Sequence, residues 1–323
     1  MKVIRFFLLA AATLSLAACS NDETTDNGPV AARFTAGIGA PVTRAVGSNW
    51  NADHIGIMVT SAPNSDMEDL YKNVEYSTAS TGTTAEFTPA SGGIFFQDKN
   101  EKVTFSAYAP YQTSAANALP GTDGVITVNT QDNNGDSQEE IDFLFASGAT
   151  DSQQSPTVTF TNTEGGADNS FHHQMAQLNI VFKVSTADGF EASEILKDGN
   201  AFNLGGLVHE GTFDVTTGEA AATGTAVDSW DITGCKMADD ETDNTRTYSL
   251  ILLPQDLSAK AINVGITIDN QVYTNKADVK PNLQAGKSYT YTITVKKTKL
   301  VVSGCTIQNW TPMGNVNGDA TMQ

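Results

Sequence analysis

With 323 residues, 18 basic and 37 acidic side chains and a net charge of −19, the chain is long enough for roughly two domains. It is also poorly suited to nucleic acid, whose binding rests on Lys and Arg neutralising phosphates. Charged residues make up only 17%, against about 25% in ordinary globular chains, which leaves little room for long solvent-facing helices laced with Glu/Lys pairs, and three cysteines are too few for a disulfide scaffold.

The chain opens with Lys2 and Arg5, then an apolar stretch over 6–16 broken only by Thr13 and Ser15, then Leu16-Ala17-Ala18-Cys19. This is the order of a secretory signal, and the stretch is shorter than the ~20 residues that cross a bilayer as a helix. The last four residues resemble the bacterial lipobox, which implies cleavage between Ala18 and Cys19 and diacylation of the Cys19 thiol. At about 0.8 kcal/mol per buried methylene, two acyl chains hold a protein on a membrane where one would be marginal. Residues 1–18 are thus a signal peptide. Losing Lys2 and Arg5 and no acidic residue makes the mature chain more acidic still.

Residues 19–29 read as a lipidated tether, rich in Asn, Asp and Glu and expected to be disordered. Its Ser20-Asn21-Asp22-Glu23 start resembles the acidic signal that sends Bacteroidetes lipoproteins to the outer face of the outer membrane. A plain polar spacer is the alternative.

From Val30 onward apolar residues recur with period two. Val30, Ala32, Phe34, Ala36 and Ile38 alternate with Ala31, Arg33, Thr35 and Gly37, and Tyr289, Tyr291, Ile293 and Val295 alternate with threonines, as in strands with one buried face. Similar runs at 55–60, 103–109, 125–130, 141–145, 158–160, 178–184, 248–253 and 264–268 are parted by Gly, Asn, Asp and Pro. They predict an all-β sandwich or barrel. Only 191–197 has a helical pattern. The turn-rich stretch 161–169 marks a boundary between an N-terminal domain, 30–165, and a C-terminal domain, 166–323.

No catalytic constellation emerges. Ala285-Gly286-Lys287-Ser288 lacks the first glycine of a phosphate loop, since Pro281 stands there, and it precedes a strand rather than a helix. Gly37-Ile38-Gly39 lacks its third glycine, and His209-Glu210 has no histidine four residues on. His172 and His173 point to opposite faces of a strand, so one ring should pack inward and the other meet solvent. Asp132, Asn134, Asp136 and Glu139 resemble part of a calcium loop, but the glycine is misplaced and Phe143 replaces the final glutamate. Asp239–Asp243 reads as a surface loop. Neither cofactor nor metal is expected. A secreted chain would permit Cys235 and Cys305 to pair, and spacing alone leaves this open.

Several segments, taken in order, carry a resemblance. They are Arg33-Phe34-Thr35-Ala36-Gly37-Ile38, Val42-Thr43-Arg44-Ala45, Trp50, Asp53-His54-Ile55-Gly56-Ile57, Ala107-Tyr108-Ala109-Pro110-Tyr111 and Ile141-Asp142-Phe143-Leu144-Phe145-Ala146. After them come Phe171-His172-His173-Gln174-Met175-Ala176, Ile251-Leu252-Leu253-Pro254-Gln255, Gly286-Lys287-Ser288-Tyr289 and Ile307-Gln308-Asn309-Trp310. The set resembles the fimbrillin-like lipoproteins of Bacteroidetes, relatives of the major and minor fimbrillins.

That resemblance implies two tandem transthyretin-like Greek-key β-sandwich domains and a structural, adhesive, non-enzymatic role at the cell surface. It also implies cleavage by a trypsin-like protease after an arginine, here between Arg44 and Ala45, release of the first strand, and filling of the groove by a strand from another fimbrial subunit. The stretch 30–38 fits, because its inward residues would leave with it and expose an unpaired edge. The donor end fits less well, since 299–310 would serve both its own sheet and a neighbour's. A monomeric surface lipoprotein that captures glycans on exposed tryptophans is the rival reading.

Overall fold

The computed structural model describes residues 28–38, 50, 53–131, 138, 140–162, 166–235, 237, 239–275 and 279–310. The predicted processing positions Ala18, Cys19, Arg44 and Ala45 lie outside the described residues, as do Asp132, Asn134, Asp136 and Glu139. Among the described residues strands dominate, and helical structure is limited to short turns such as Met67–Leu70 and Ala192–Leu196. The latter stands where a helix over 191–197 was predicted, and it is 3-10 and ends at Lys197, whose backbone is already extended.

The first half is an eight-stranded sheet. In space its strands run Thr157–Phe160, Arg33–Gly37, Thr84–Pro89, Val74–Ser77, His54–Ser61, Val103–Ala109, Leu144–Asp151 and His172–His173. Neighbours are antiparallel except Arg33–Gly37 and Thr157–Phe160, which run parallel. The sheet curls until its ends meet, with Ile38 bridging Phe171 and a hairpin through Ser152 and Ser155 joining Leu144–Asp151 to Thr157–Phe160. Inside the curl lie Phe34, Trp50, Tyr76, Phe87, Phe105, Phe160 and Phe171.

The second half is a sandwich of two four-stranded sheets. One orders Arg246–Leu252, Ala176–Val184, Lys287–Lys296 and Lys299–Asn309, and the other Trp230–Asp231, Ala201–Gly205, Asn263–Ile268 and Gln271–Asn275. Leu178, Ile180, Phe182, Tyr291 and Ile293 from the first meet Phe202, Leu204, Val264 and Ile266 from the second in one core. Here too one pair, Ala176–Val184 with Lys287–Lys296, is parallel.

A third sheet ties the halves together. Val125–Asn129 pairs with Glu210–Asp214, which pairs in turn with Ala220–Ala222. Tyr108, Phe143, Phe213, Ile251, Leu253 and Trp310 form a separate cluster drawn from both halves of the chain.

The predicted strand 141–145 is displaced: pairing begins only at Leu144 and runs to Asp151. Ile141 and Phe143 are drawn into the cluster shared by the halves. Ala149, Thr150 and Asp151 have little apolar pattern, and their backbone pairing to Phe105, Thr104 and Val103 makes them strand.

Candidate functional site

The first strand and its seat form the candidate site. Residues 30–38 make two short pairings in succession. Val30–Ala31 pairs with Phe95–Phe96, and the Ala32 amide donates to the Ile94 carbonyl at 2.8 Å. Arg33–Gly37 then enters the large sheet between Thr157–Phe160 and Thr84–Pro89. The predicted alternation holds at its centre: Ala32, Phe34 and Ala36 are buried, while Val30 and Ile38 at the ends are half-buried. Gly37, expected outward, is buried as well, beside Thr161 and the Phe160 carbonyl.

Each inward residue has a distinct seat. The Phe34 ring, 1% exposed, meets Tyr76 edge-on at 4.9 Å and Phe105 at 5.3 Å between ring centroids, with Phe160 stacked at 6.3 Å. Ala36 lies between Ala85 on one neighbouring strand and Phe160 on the other. Its carbonyl accepts a hydrogen bond from Trp50 Nε1 at 3.2 Å, and the indole packs edge-on against Phe87 and Phe171. Burial pushes the Tyr76 hydroxyl up to about 12, against the opposing pull of the hydrogen bond it accepts from the Ile94 amide at 2.9 Å. The seat is therefore aromatic and buried.

Arg33–Gly37 is an interior strand. The Arg33 amide donates to the Pro156 carbonyl at 2.7 Å and the Phe171 amide to the Gly37 carbonyl at 3.3 Å, beyond the two ladders themselves. Taking it away would unpair Thr157–Phe160 and Thr84–Pro89 at once and open an apolar trough between them.

The remaining predicted residues have structural roles. His173 is buried, its Nδ1 2.6 Å from an Asp142 carboxylate oxygen, and its ring stacks on Trp310 at 4.0 Å with 9° between planes. His172 is half-exposed with Nε2 3.1 Å from Asp168, so the inward and outward division of the pair is as expected. Ser170 donates to the same carboxylate. Burial pulls the Asp168 carboxyl up, yet the Ser170 bonds and the neighbouring His172 hold it below its usual range. His209 is buried, its Nδ1 2.8 Å from Thr130 Oγ1, on the sheet shared by the halves.

Gly286 forms the turn before Lys287–Lys296 with φ +67, and a side chain there would press on the His173 carbonyl at 3.2 Å. This is a structural turn and not a phosphate loop. Asp240 caps its own loop, but Asp239 departs from the surface reading: it holds the buried Arg246 guanidinium at 3.0 Å. Cys235 and Cys305 remain thiols and are not joined.

Lys299–Asn309 closes one sheet edge, pairing only with Lys287–Lys296, and beyond a register shift near Thr292 its side chains are exposed, Ile307 by 60%. Trp310 at its end is buried in the cluster between the halves. All three tryptophans, Trp50, Trp230 and Trp310, are buried, so none offers a flat face to a sugar.

The relatives agree with this architecture. A protein of Bacteroides uniformis whose name proposes it as fimbrium subunit Fim1C is 28% identical over 320 residues, 95% of each chain. A crystal structure of a proposed cell adhesion protein from Bacteroides ovatus superposes with a TM-score of 0.69 at 28% identity, covering 89% of this chain and all of that one. Another from Bacteroides uniformis gives 0.66 at 25% identity with the same coverage. The names of these relatives propose fimbrial and adhesion roles. The fimbrillin-like family profile matches residues 43–310, and the chain belongs to that family.

Proposed function

We propose that this chain is a lipid-anchored fimbrial subunit that is cut between Arg44 and Ala45 and then accepts a neighbour's strand where 30–38 had been. Family membership carries the coarser part, a fimbrial and adhesive role at the cell surface. The finer part is supported by one observation: the first strand is interior to its sheet, so its removal would open a seat between two strands. The chain has four arginines, Arg5, Arg33, Arg44 and Arg246. Arg5 leaves with the signal peptide, Arg33 is locked in a strand paired on both sides, and Arg246 is 4% exposed and ion-paired. A trypsin-like protease needs an extended, accessible bond. Arg44 is the position that the resemblance to the fimbrillin-like family gives for the cut.

Lipidation of Cys19 after removal of 1–18 is supported by Leu16-Ala17-Ala18-Cys19. Division into two domains is supported by the change of core membership between Phe171, in the first cluster, and Ala176, in the second. The shared sheet and the Trp310 cluster would hold the domains against one another.

N-terminal mass spectrometry of the surface fraction tests the proposal. An N-terminus at Ala45 is expected in assembled material and acylated Cys19 in the precursor. An Arg44→Ala variant that assembles into high-mass polymers as well as the parent would overturn the maturation step.

A further inference from the structure

We infer that the emptied groove selects a strand from a different subunit, one carrying an aromatic residue flanked two positions away on each side by small residues, and that a second copy of this chain cannot supply it. This rests on the strand-release reading above.

The selectivity is written into the three buried seats. The central one is a ring-sized pocket bounded by Tyr76, Phe105 and Phe160, which Phe34 fills. An aliphatic residue there would forfeit both edge-on contacts, and a small one would leave a cavity whose walls belong to three separate strands. The flanking seats are the opposite. Ala36 is fully buried between Ala85 and Phe160, with the Trp50 indole bonded to its own carbonyl, and Ala32 is 6% exposed. Larger side chains would overpack these buried seats, at Ala36 against Ala85 and Phe160.

Backbone geometry adds two further demands. The incoming strand must run parallel to Thr157–Phe160 and antiparallel to Thr84–Pro89 to satisfy both ladders. Proline is excluded where Ala32 and Arg33 stand, because their amides donate to Ile94 and Pro156. Trp50 asks only for a carbonyl, which any residue provides.

The terminal strand of this chain fails these demands. Lys299–Asn309 contains no aromatic residue for the ring pocket; with Ile307 there, Asn309 falls in the Ala36 seat and an amide is buried, and with Val302 there, Leu300 falls in the Ala32 seat. Trp310 is the single aromatic residue from 299 to the end of the chain. It has Gln308 and Pro312 two positions away, and it is committed to His173. A first strand from another copy would fit, but the Arg44 cut removes it from every mature copy.

The full chain is cleaved at Arg44, the protease is inhibited, labelled peptides are then added in excess, and bound label is measured after gel filtration. The peptides carry residues 30–38, the same with Phe34→Ala, the same with Ala36→Leu, and residues 299–309. The 30–38 peptide should be incorporated. Phe34→Ala should weaken uptake by about 100-fold and Ala36→Leu by about tenfold. The 299–309 peptide should compete negligibly. Uptake of 299–309 or of Ala36→Leu within about threefold of the 30–38 peptide would overturn the selectivity while leaving strand exchange intact. Failure of the 30–38 peptide itself would overturn strand release, and the inference with it.

Discussion

Replacing Phe34 by alanine in the uncut chain should destabilise it by about 3–5 kcal/mol, the usual consequence of emptying a buried aromatic site. The upper part of that range is expected for a physical reason. The ring is 1% exposed, and its edge-on partners Tyr76 and Phe105 stand on Val74–Ser77 and Val103–Ala109, strands apart from its immediate neighbours in the sheet. Each such aromatic contact adds about 0.5–1.5 kcal/mol beyond simple burial. No single neighbour can move to fill the space, so the cavity persists. In thermal terms the N-terminal half should melt roughly 10 °C or more below the parent. Arg33→Ala is the control, because it sits on the same strand with the same ladders but an exposed side chain, and it should change stability by less than about 0.5 kcal/mol. Urea unfolding of the two variants beside the parent decides the matter. Equal stability for the two would mean that the strand is not held by its side chains, and the idea of a shaped groove would fall with it.

Trp50→Phe keeps a ring against Phe87 and Phe171 but deletes the hydrogen bond to the Ala36 carbonyl, so urea unfolding should show a loss of about 1 kcal/mol. His173→Ala breaks a buried pair with Asp142 and removes the platform under Trp310, with an expected cost of about 3–5 kcal/mol by the same assay, whereas His172→Ala should be within about 0.5 kcal/mol of the parent. Asp168, whose folded pKa is depressed, should contribute stability at neutral pH that is complete above its ordinary 3.8 and lost as pH falls through the folded value. Asp168→Asn should accordingly be less stable than the parent at pH 7 by a gap that narrows in acid, and a gap that widens in acid would refute the assignment.

Much of the architecture is legible in residue order because a strand with one buried face announces itself. Tyr289, Tyr291, Ile293 and Val295 in Lys287–Lys296 and the inward triad Ala32, Phe34 and Ala36 stand where their alternation puts them. Legibility fails where a strand is held by its neighbours' backbone. Thr84–Pro89, Val74–Ser77 and Gln271–Asn275 carry Thr, Glu, Ser, Asn and Pro in short mixed runs; the last two become strands beside His54–Ser61 and Asn263–Ile268, and Thr84–Pro89 is held between Arg33–Gly37 and Val74–Ser77. The helical pattern over 191–197 had an apolar period too brief to outweigh the extended backbone at Lys197.

The sequence by itself determined the composition of each face and the spacing of inward residues in the first strand. These are local properties of neighbouring residues. Tertiary structure alone decided that the first strand is interior, flanked in parallel by residues more than a hundred positions away, because such pairing depends on where the chain returns. It also decided that Trp50 bonds to Ala36, that His173 reaches back to Asp142 and forward to Trp310, and that Val125–Asn129 crosses to the other half. Those contacts join segments with no common periodicity, and only the folded chain brings them within a hydrogen bond of one another.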